Sequence, residues 1–525
     1  MALAAAAALG IALGPGCGRD PGDPADRAER SISRQRIDEI GRRLADDTMA
    51  GRYYASPESD STVALLLRRL RAAGFARVDR AELLLAERPA CFVHDFSVTL
   101  HRLGRFTYLG EWTGERERPA VPGRDFVPLV FSSDGEIVGQ VTRIAALPAL
   151  ERALTGQATL AGRIVVVPEP TWESSGRPDD AALYRVTRAL AARGAAAVLF
   201  EAGSGLLQVA SATYPSHLTP EQLAAARSVR GTVANLHPDR LSQASQAQAW
   251  RAAPERTVPA FVVRRSWSAP LGDGNRIVLR CDLEPEVSLA QNLLVGFRGR
   301  SRADEVVLVG VHYDHTGINV EGDVLNGADD NASGVAALLE IASALVPVRD
   351  TLERSVVLAF FSAGREGFQG SESFLNDLPQ LLGVEAQPVA MLALRAVGRN
   401  GNEPLLVVGG SSHPELAAVL ERLDQRDPAS QPPLGLRSAL DESTVVARLE
   451  IVPSRGSDHL TFARSGVPSI LLTAGLDPLL YDQPDDDWRA VDAEKVARVA
   501  RLVFRAVLEL ATPADGAPAA PAGSR

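Results

Sequence analysis

Apolar positions along the chain fall into two rhythms, and the order of those rhythms predicts the architecture. An unbroken apolar run stands at 306–311, further short strand-like runs at 356–361, 389–394, 405–408 and 469–473, and apolar residues recur at helical spacing over 370–378, 414–422 and 492–510. Runs without alternation suit strands covered on both faces. Strands that alternate with helices predict a mostly parallel sheet between two helical layers. Upstream, a helical pattern starts at Ser33 with Ile37, Ile40 and Leu44, and a turn at Gly51-Arg52 and Ser56-Pro57 follows. A second helix is predicted over 63–73, and 88–123 alternates as strands do.

Over 125–265 the grain changes. Strand-like runs at 126–131, 162–167, 195–200 and 258–263 surround one helical stretch, 180–193. With 525 residues the chain is longer than the roughly 250–300 residues at which a single core stops growing, so two folded units are expected. The predicted division is a leader and tether at 1–32, a first part of the main domain at 33–124, an insert at 125–265, the main part at 266–511, and an Ala/Pro/Gly-rich disordered tail at 512–525.

Composition narrows the partners. The net charge of -10 is spread along the sequence with no basic stripe, so a nucleic-acid partner is not expected. The Ala/Leu/Gly run at 1–13 falls short of the ~20 residues that span a bilayer but suits the apolar part of an export signal. Cys17 follows it, and a lipid there would be the membrane contact of an exported, periplasmic or lipoprotein-anchored chain. Gly14-Pro15-Gly16 is a poor form of the usual lipoprotein leader, so a cleaved signal that takes Cys17 with it is the alternative. Outside the cytoplasm Cys91 and Cys281 could pair, or stay two unrelated buried thiols.

The chemistry gathers where the 306–311 run ends. His312, Asp314 and His315 follow it directly, and Asp329, Asp330 and Asn331 stand before a helical pattern through Val335, Leu338, Leu339, Ala342 and Leu345. Open α/β sheets place their sites at such strand ends. His312-Tyr313-Asp314, the Gly327 to Gly334 run, Ser457-Asp458-His459 and Gly466-Val467-Pro468 together resemble the co-catalytic di-zinc exopeptidases, family 28 of the metallopeptidases. The resemblance implies a zinc-exopeptidase-like three-layer α/β fold, a mixed, mostly parallel sheet with helices on both faces, and aminopeptidase activity with two zinc ions. It makes His312 and His459 the metal-binding histidines and Asp329 the bridging acid, with Asp314, Asp330 and Asp458 supporting them. The insert, with its Gly162 to Val167 strand and Ala195 to Phe200 strand, resembles an α+β protease-associated domain, which has no catalytic residues of its own.

The same comparison exposes damage. Where the family reads F-x-x-E-E-x-G-x-x-G-S, Phe361 to Ser371 holds register but puts Gly364 at the proton-accepting glutamate and Arg365 at the next ligand. Arg395 replaces the remaining ligand aspartate, and Asp482 stands at a histidine position after the last strand. Glu366, about 7 Å further along a strand than Gly364, is the one candidate to rescue the base. A guanidinium cannot deprotonate in a protein, so Arg365 and Arg395 are expected to replace the metals' charge, paired with Asp329 and Asp314 in a metal-free centre. The expected function is that of an exported, catalytically inactive aminopeptidase homologue. It would bind a peptide or amino-acid carboxylate, or a protein partner at the insert. An active zinc aminopeptidase and a scaffold working through the insert are the alternatives. His94, His101, His217, His237, His315 and His413 receive no role, and Ser333 lacks a base that would make it a nucleophile.

Overall fold

The computed structural model describes residues 22–513 except 55, 79–82, 85–87, 104–106, 114–115, 123–124, 130–131, 145–159, 169–179, 203–257, 319–322, 365–367, 400, 402–403, 427–432, 440–456 and 476–483. Nine strands form the main sheet. Arg302–His312 runs through its middle with Arg354–Phe361 and Gln387–Leu394 parallel on either side. Beyond Gln387–Leu394 lie Ser469–Thr473, parallel, then Leu406–Val408, antiparallel, and Arg437–Ala439. On the other flank Leu283–Phe297 and Ala90–Leu103 form a long antiparallel ribbon, with Ala76–Arg77 at the edge. The sheet is mixed, as expected.

Every residue of Arg354–Phe361 is buried, which explains why that strand reads as an unbroken apolar run. Helices Arg34–Leu44, Pro57–Ala72, Gly334–Leu345 and Ala493–Ala511 bring Leu44, Leu66, Leu338 and Val503 to one face. Gln369–Asn376, Leu378–Leu382 and His459–Arg464 cover the other with Phe374, Leu381 and Phe462. The helix starts follow from the sequence. Ser33 Oγ accepts the Arg36 N–H, and Ser56 Oγ accepts the Ser59 N–H with Pro57 opening the first turn. The stretch Ala328–Thr351 is long and apolar enough to cross a membrane, but it is 83% buried as a core helix.

An eight-stranded sheet makes the second unit, with its own core around Phe126, Val166, Leu199, Phe261 and Leu279. The strands read at 126–131, 162–167, 195–200 and 258–263 appear as Phe126–Pro128, Arg163–Val167, Ala197–Ala202 and Ala260–Arg264, and the helix as Asp180–Ala191. The sheet also takes in Tyr108–Thr113, Arg116–Pro119 and Arg276–Cys281, on either side of the 125–265 segment.

Part of the stretch read as a tether is folded. Pro24–Ser31 is a helix capped by the Asp23 side chain, and it buries Asp26, Ala28 and Glu29. Arg505 holds both acids from Ala493–Ala511, donating to Glu29 at 2.9 and 2.7 Å and to Asp26. A short charged segment looks solvated in sequence because its counter-charge lies far along the chain. Cys91 and Cys281 are free and buried, the first in the ribbon and the second in the second sheet.

Candidate functional site

The parallel strands end together, with His312 opposite Phe361 and Gly310 opposite Ala393, so the residues that follow each strand converge on one spot. Ala363 (φ 52°) and Ala396 (φ 49°) adopt the left-handed conformation just past two of those ends, an uncommon state for residues with a Cβ. They turn the chain at Gly364 and Arg395. Asn331 stitches the ends together. Its Nδ2 donates to Leu394 O at 2.8 Å and to His312 O at 3.3 Å, and its Oδ1 accepts the Ala396 N–H at 3.2 Å.

At the centre stands Asp330. The Arg395 guanidinium forks onto it, Nε to Oδ1 at 3.0 Å and Nη2 to Oδ2 at 3.1 Å. His312 Nε2 lies 3.2 Å from the same Oδ1. All three side chains are about 2% exposed. On the other side of the imidazole, Asp458 Oδ2 is 3.9 Å from Nδ1. Asp314 Oδ1 accepts the Gly364 N–H at 3.1 Å. Burial pushes the Asp458 carboxyl up, against the pull of His312 and Arg395. Burial and then the Arg395 charge push His459 down to about 3, which leaves it neutral.

The bridging position needs correction. Asp329, expected between the two imidazoles, turns the other way. Its Oδ1 accepts the Gly398 N–H at 2.7 Å, and burial together with the Asp486 charge pushes it up to about 7. Asp330, expected as a support, faces His312 and is the carboxylate that Arg395 takes, in place of the expected Asp329 or Asp314. The physical reason is local. The first turn of this helix is not helical at Asp330 and Asn331, so the two neighbouring acids point to different sides.

Arg365 and Glu366 lie outside the described residues, as does Asp482, and so their expected parts in the site do too. Among the described residues no group of three or more His, Cys, Asp or Glu side chains is arranged to hold a metal ion. Several buried atoms nevertheless have no hydrogen-bond partner: both His312 nitrogens, His459 Nδ1 and both Asp458 oxygens. Of the histidines given no role, His94 is a packing residue, buried with Nε2 3.0 Å from Asp377 and Nδ1 3.2 Å from Asn292 Nδ2.

Three supports went unread in the sequence. Asp486 accepts the Asp329 and Asp330 N–H groups at 2.8 and 3.2 Å and the Arg399 Nη2 at 2.6 Å, fixing the helix entry. Arg399 stands four residues after Arg395 and Asp486 four after Asp482, which was the available signal. Arg52, 0% exposed, donates to the carbonyls of Tyr313 (2.9 Å), Asn326 (2.8 Å), Gly327 (3.1 Å) and Leu44. It ties the two site loops together from beneath.

Comparison with known proteins agrees with this geometry. Residues 292–507 match the model of peptidase family M28. Over 213 residues the chain is 27% identical to the uncharacterized protein YfbL of Escherichia coli K12, covering 37% of this chain and 64% of that protein. Over 219 residues it is 29% identical to a probable leucine aminopeptidase of Arthroderma benhamiae, covering 40% of this chain and 55% of that protein. The chain thus spans less than two thirds of each of these relatives. In structure it resembles an aminopeptidase from Aneurinibacillus sp. strain AM-1, with TM-score 0.59 and 17% identity over 93% of this chain and 97% of that one. It also resembles a zinc aminopeptidase from Bacillus subtilis, with TM-score 0.57 and 16% identity over 91% and 95%. Residues 292–507 thus carry the match to peptidase family M28, and the chain has the fold of the zinc aminopeptidases.

Proposed function

We propose that this aminopeptidase-like chain is exported and binds a peptide or protein partner without hydrolysing peptide bonds. One observation carries the reading: the Arg395 fork on Asp330. The family implies two zinc ions, which need several anionic or neutral donors around each cation. Here the carboxylate nearest His312 has both oxygens in hydrogen bonds to a guanidinium, and a permanent positive charge stands where a divalent cation would sit. Gly364 offers no proton acceptor in place of the glutamate the resemblance expects. The donor set therefore does not fit the metal pair, and no hydrolytic step is derived through it.

The Arg395 fork is itself engaged by Asp330. A partner would be held by the cleft walls or by the second sheet. The reading of an active zinc aminopeptidase has one observation in its favour, the unpartnered nitrogens of His312 and His459, which are of the kind that ligate zinc. Hydrolysis of leucine p-nitroanilide by the purified chain, with and without added zinc, separates the two. The expected result is no turnover above the buffer rate. Turnover that EDTA abolishes would restore the ordinary enzyme.

A further inference from the structure

Buried acids crowd these strand ends. Asp314, Asp329, Asp330 and Asp458 are each at most 3% exposed, and anions removed from water need compensation. Arg395 comes from the end of Gln387–Leu394 into their midst. Its two hydrogen bonds hold Asp330, whose Oδ1 lies 3.2 Å from His312 Nε2, and Asp458 Oδ2 stands 3.9 Å from the other nitrogen of that ring. One side chain thus heads a buried row, Asp330, His312 and Asp458, contributed by three other segments.

Gly364 adds a separate observation. A Cβ built there would stand 2.8 Å from His312 Cβ and 3.1 Å from its Cγ, closer than such atoms approach. The Gly364 N–H is meanwhile held by Asp314. The site has not simply lost a side chain. The backbone at 364 lies so near His312 that a side chain there would require one of the two to shift.

We infer that this centre is a metal-independent structural lock, in which Arg395 supplies as a tethered cation the charge that holds Asp330 against His312, and the close packing at Gly364 seals it. The inference rests on the non-hydrolytic reading above and deepens it by naming what holds the centre in the metals' place. Arg395 is here a positioning residue.

The test uses the full chain, purified without added metal. Metal content is read by mass spectrometry, and melting is followed with EDTA, with zinc and without either. The wild type is expected to hold fewer than about 0.1 zinc per chain and to melt within about 1 °C in all three conditions. Arg395→Ala should lower the midpoint by about 10 °C, because it leaves a buried acid without its partner. Arg395→Lys should recover part of that loss, since it returns the charge without the fork. Arg395→Asp should be still less stable without metal and should gain several degrees from zinc. Gly364→Ala should lower the midpoint in every condition. Stoichiometric zinc in the wild type, or a midpoint that falls on chelation, overturns the lock, and so does an Arg395→Ala that melts like the wild type. If the variants fail to fold, the wild-type zinc content and chelator response still decide. The outcomes also separate the two claims. A metal-free protein that cleaves peptides would sink the proposed function and leave the lock, while an inactive protein that holds zinc would sink the lock alone.

Discussion

Arg52 shows how far a single residue can act beyond its own kind of chemistry. Its guanidinium satisfies backbone carbonyls in two site loops and at the end of Arg34–Leu44. It also sits at φ 50°, so the backbone accepts a conformation that its Cβ disfavours in order to aim the side chain inward. Hydrogen bonds from a charged donor are worth more than neutral ones, and the acceptors left behind would be buried without partners. Arg52→Met, similar in length, should therefore cost about 3 kcal/mol or more in urea unfolding. A loss below about 1 kcal/mol would mean that the loops hold themselves. Asp329 and Asp330 show why the residue scale is hard to read beforehand. They are chemically identical neighbours, and only the non-helical backbone at Asp330 decides which of them meets His312. The placing of Arg395 at this centre was expected only through the family resemblance, and the carboxylate it meets, Asp330, was not the one expected.

Among elements, legibility followed burial. Arg302–His312, Arg354–Phe361 and Gln387–Leu394 could be read because helices cover both their faces and leave little room for polar residues. Gly135–Arg143 could not, since its alternate residues, Glu136, Val138 and Gln140, face solvent and no apolar run forms. Pro24–Ser31 was misread as tether for the opposite reason. Its buried residues include acids whose counter-charges, Arg505 and Arg426, lie on Ala493–Ala511 and just past Pro414–Asp424. Taking away Arg505 would leave Asp26 with Arg426 and deprive Glu29 of a buried ion pair. Arg505→Ala is expected to cost about 3–5 kcal/mol and to release Pro24–Ser31 to early amide exchange. Replacing all three by apolar residues of similar size should recover much of the loss. Exchange in Pro24–Ser31 that stays as slow in Arg505→Ala as in the wild type would show that the helix is held by Ala28 and its apolar neighbours instead.

At the scale of the molecule, the ribbon formed by Ala90–Leu103 and Leu283–Phe297 is the hinge of the architecture. Its register runs without a break from Ala90 opposite Gly296 to Leu103 opposite Leu283. Everything in the second sheet, from Tyr108–Thr113 to Arg276–Cys281, lies between those two strand tips in the chain. The seam that strand pairing defines thus falls near 104 and 282, wider than the 125 and 265 at which composition changes. Leu103 and Leu283 face each other directly, so a two-residue Asn-Gly turn can join them as an ordinary hairpin. Among the described residues the main core draws on positions before and after that seam, Leu66 and Leu338 among them, and on none from the second sheet. A chain in which Asn-Gly replaces residues 104–282 should therefore fold, with one cooperative melting transition and the slow-exchanging amides of the nine-stranded sheet retained. If the shortened chain instead aggregates or melts without cooperativity, the second sheet is an integral wall of the aminopeptidase-like body. If it folds but loses a peptide or protein partner that the full chain binds, recognition belongs to the excised sheet, and the centre around Arg395 serves to hold the body that carries it.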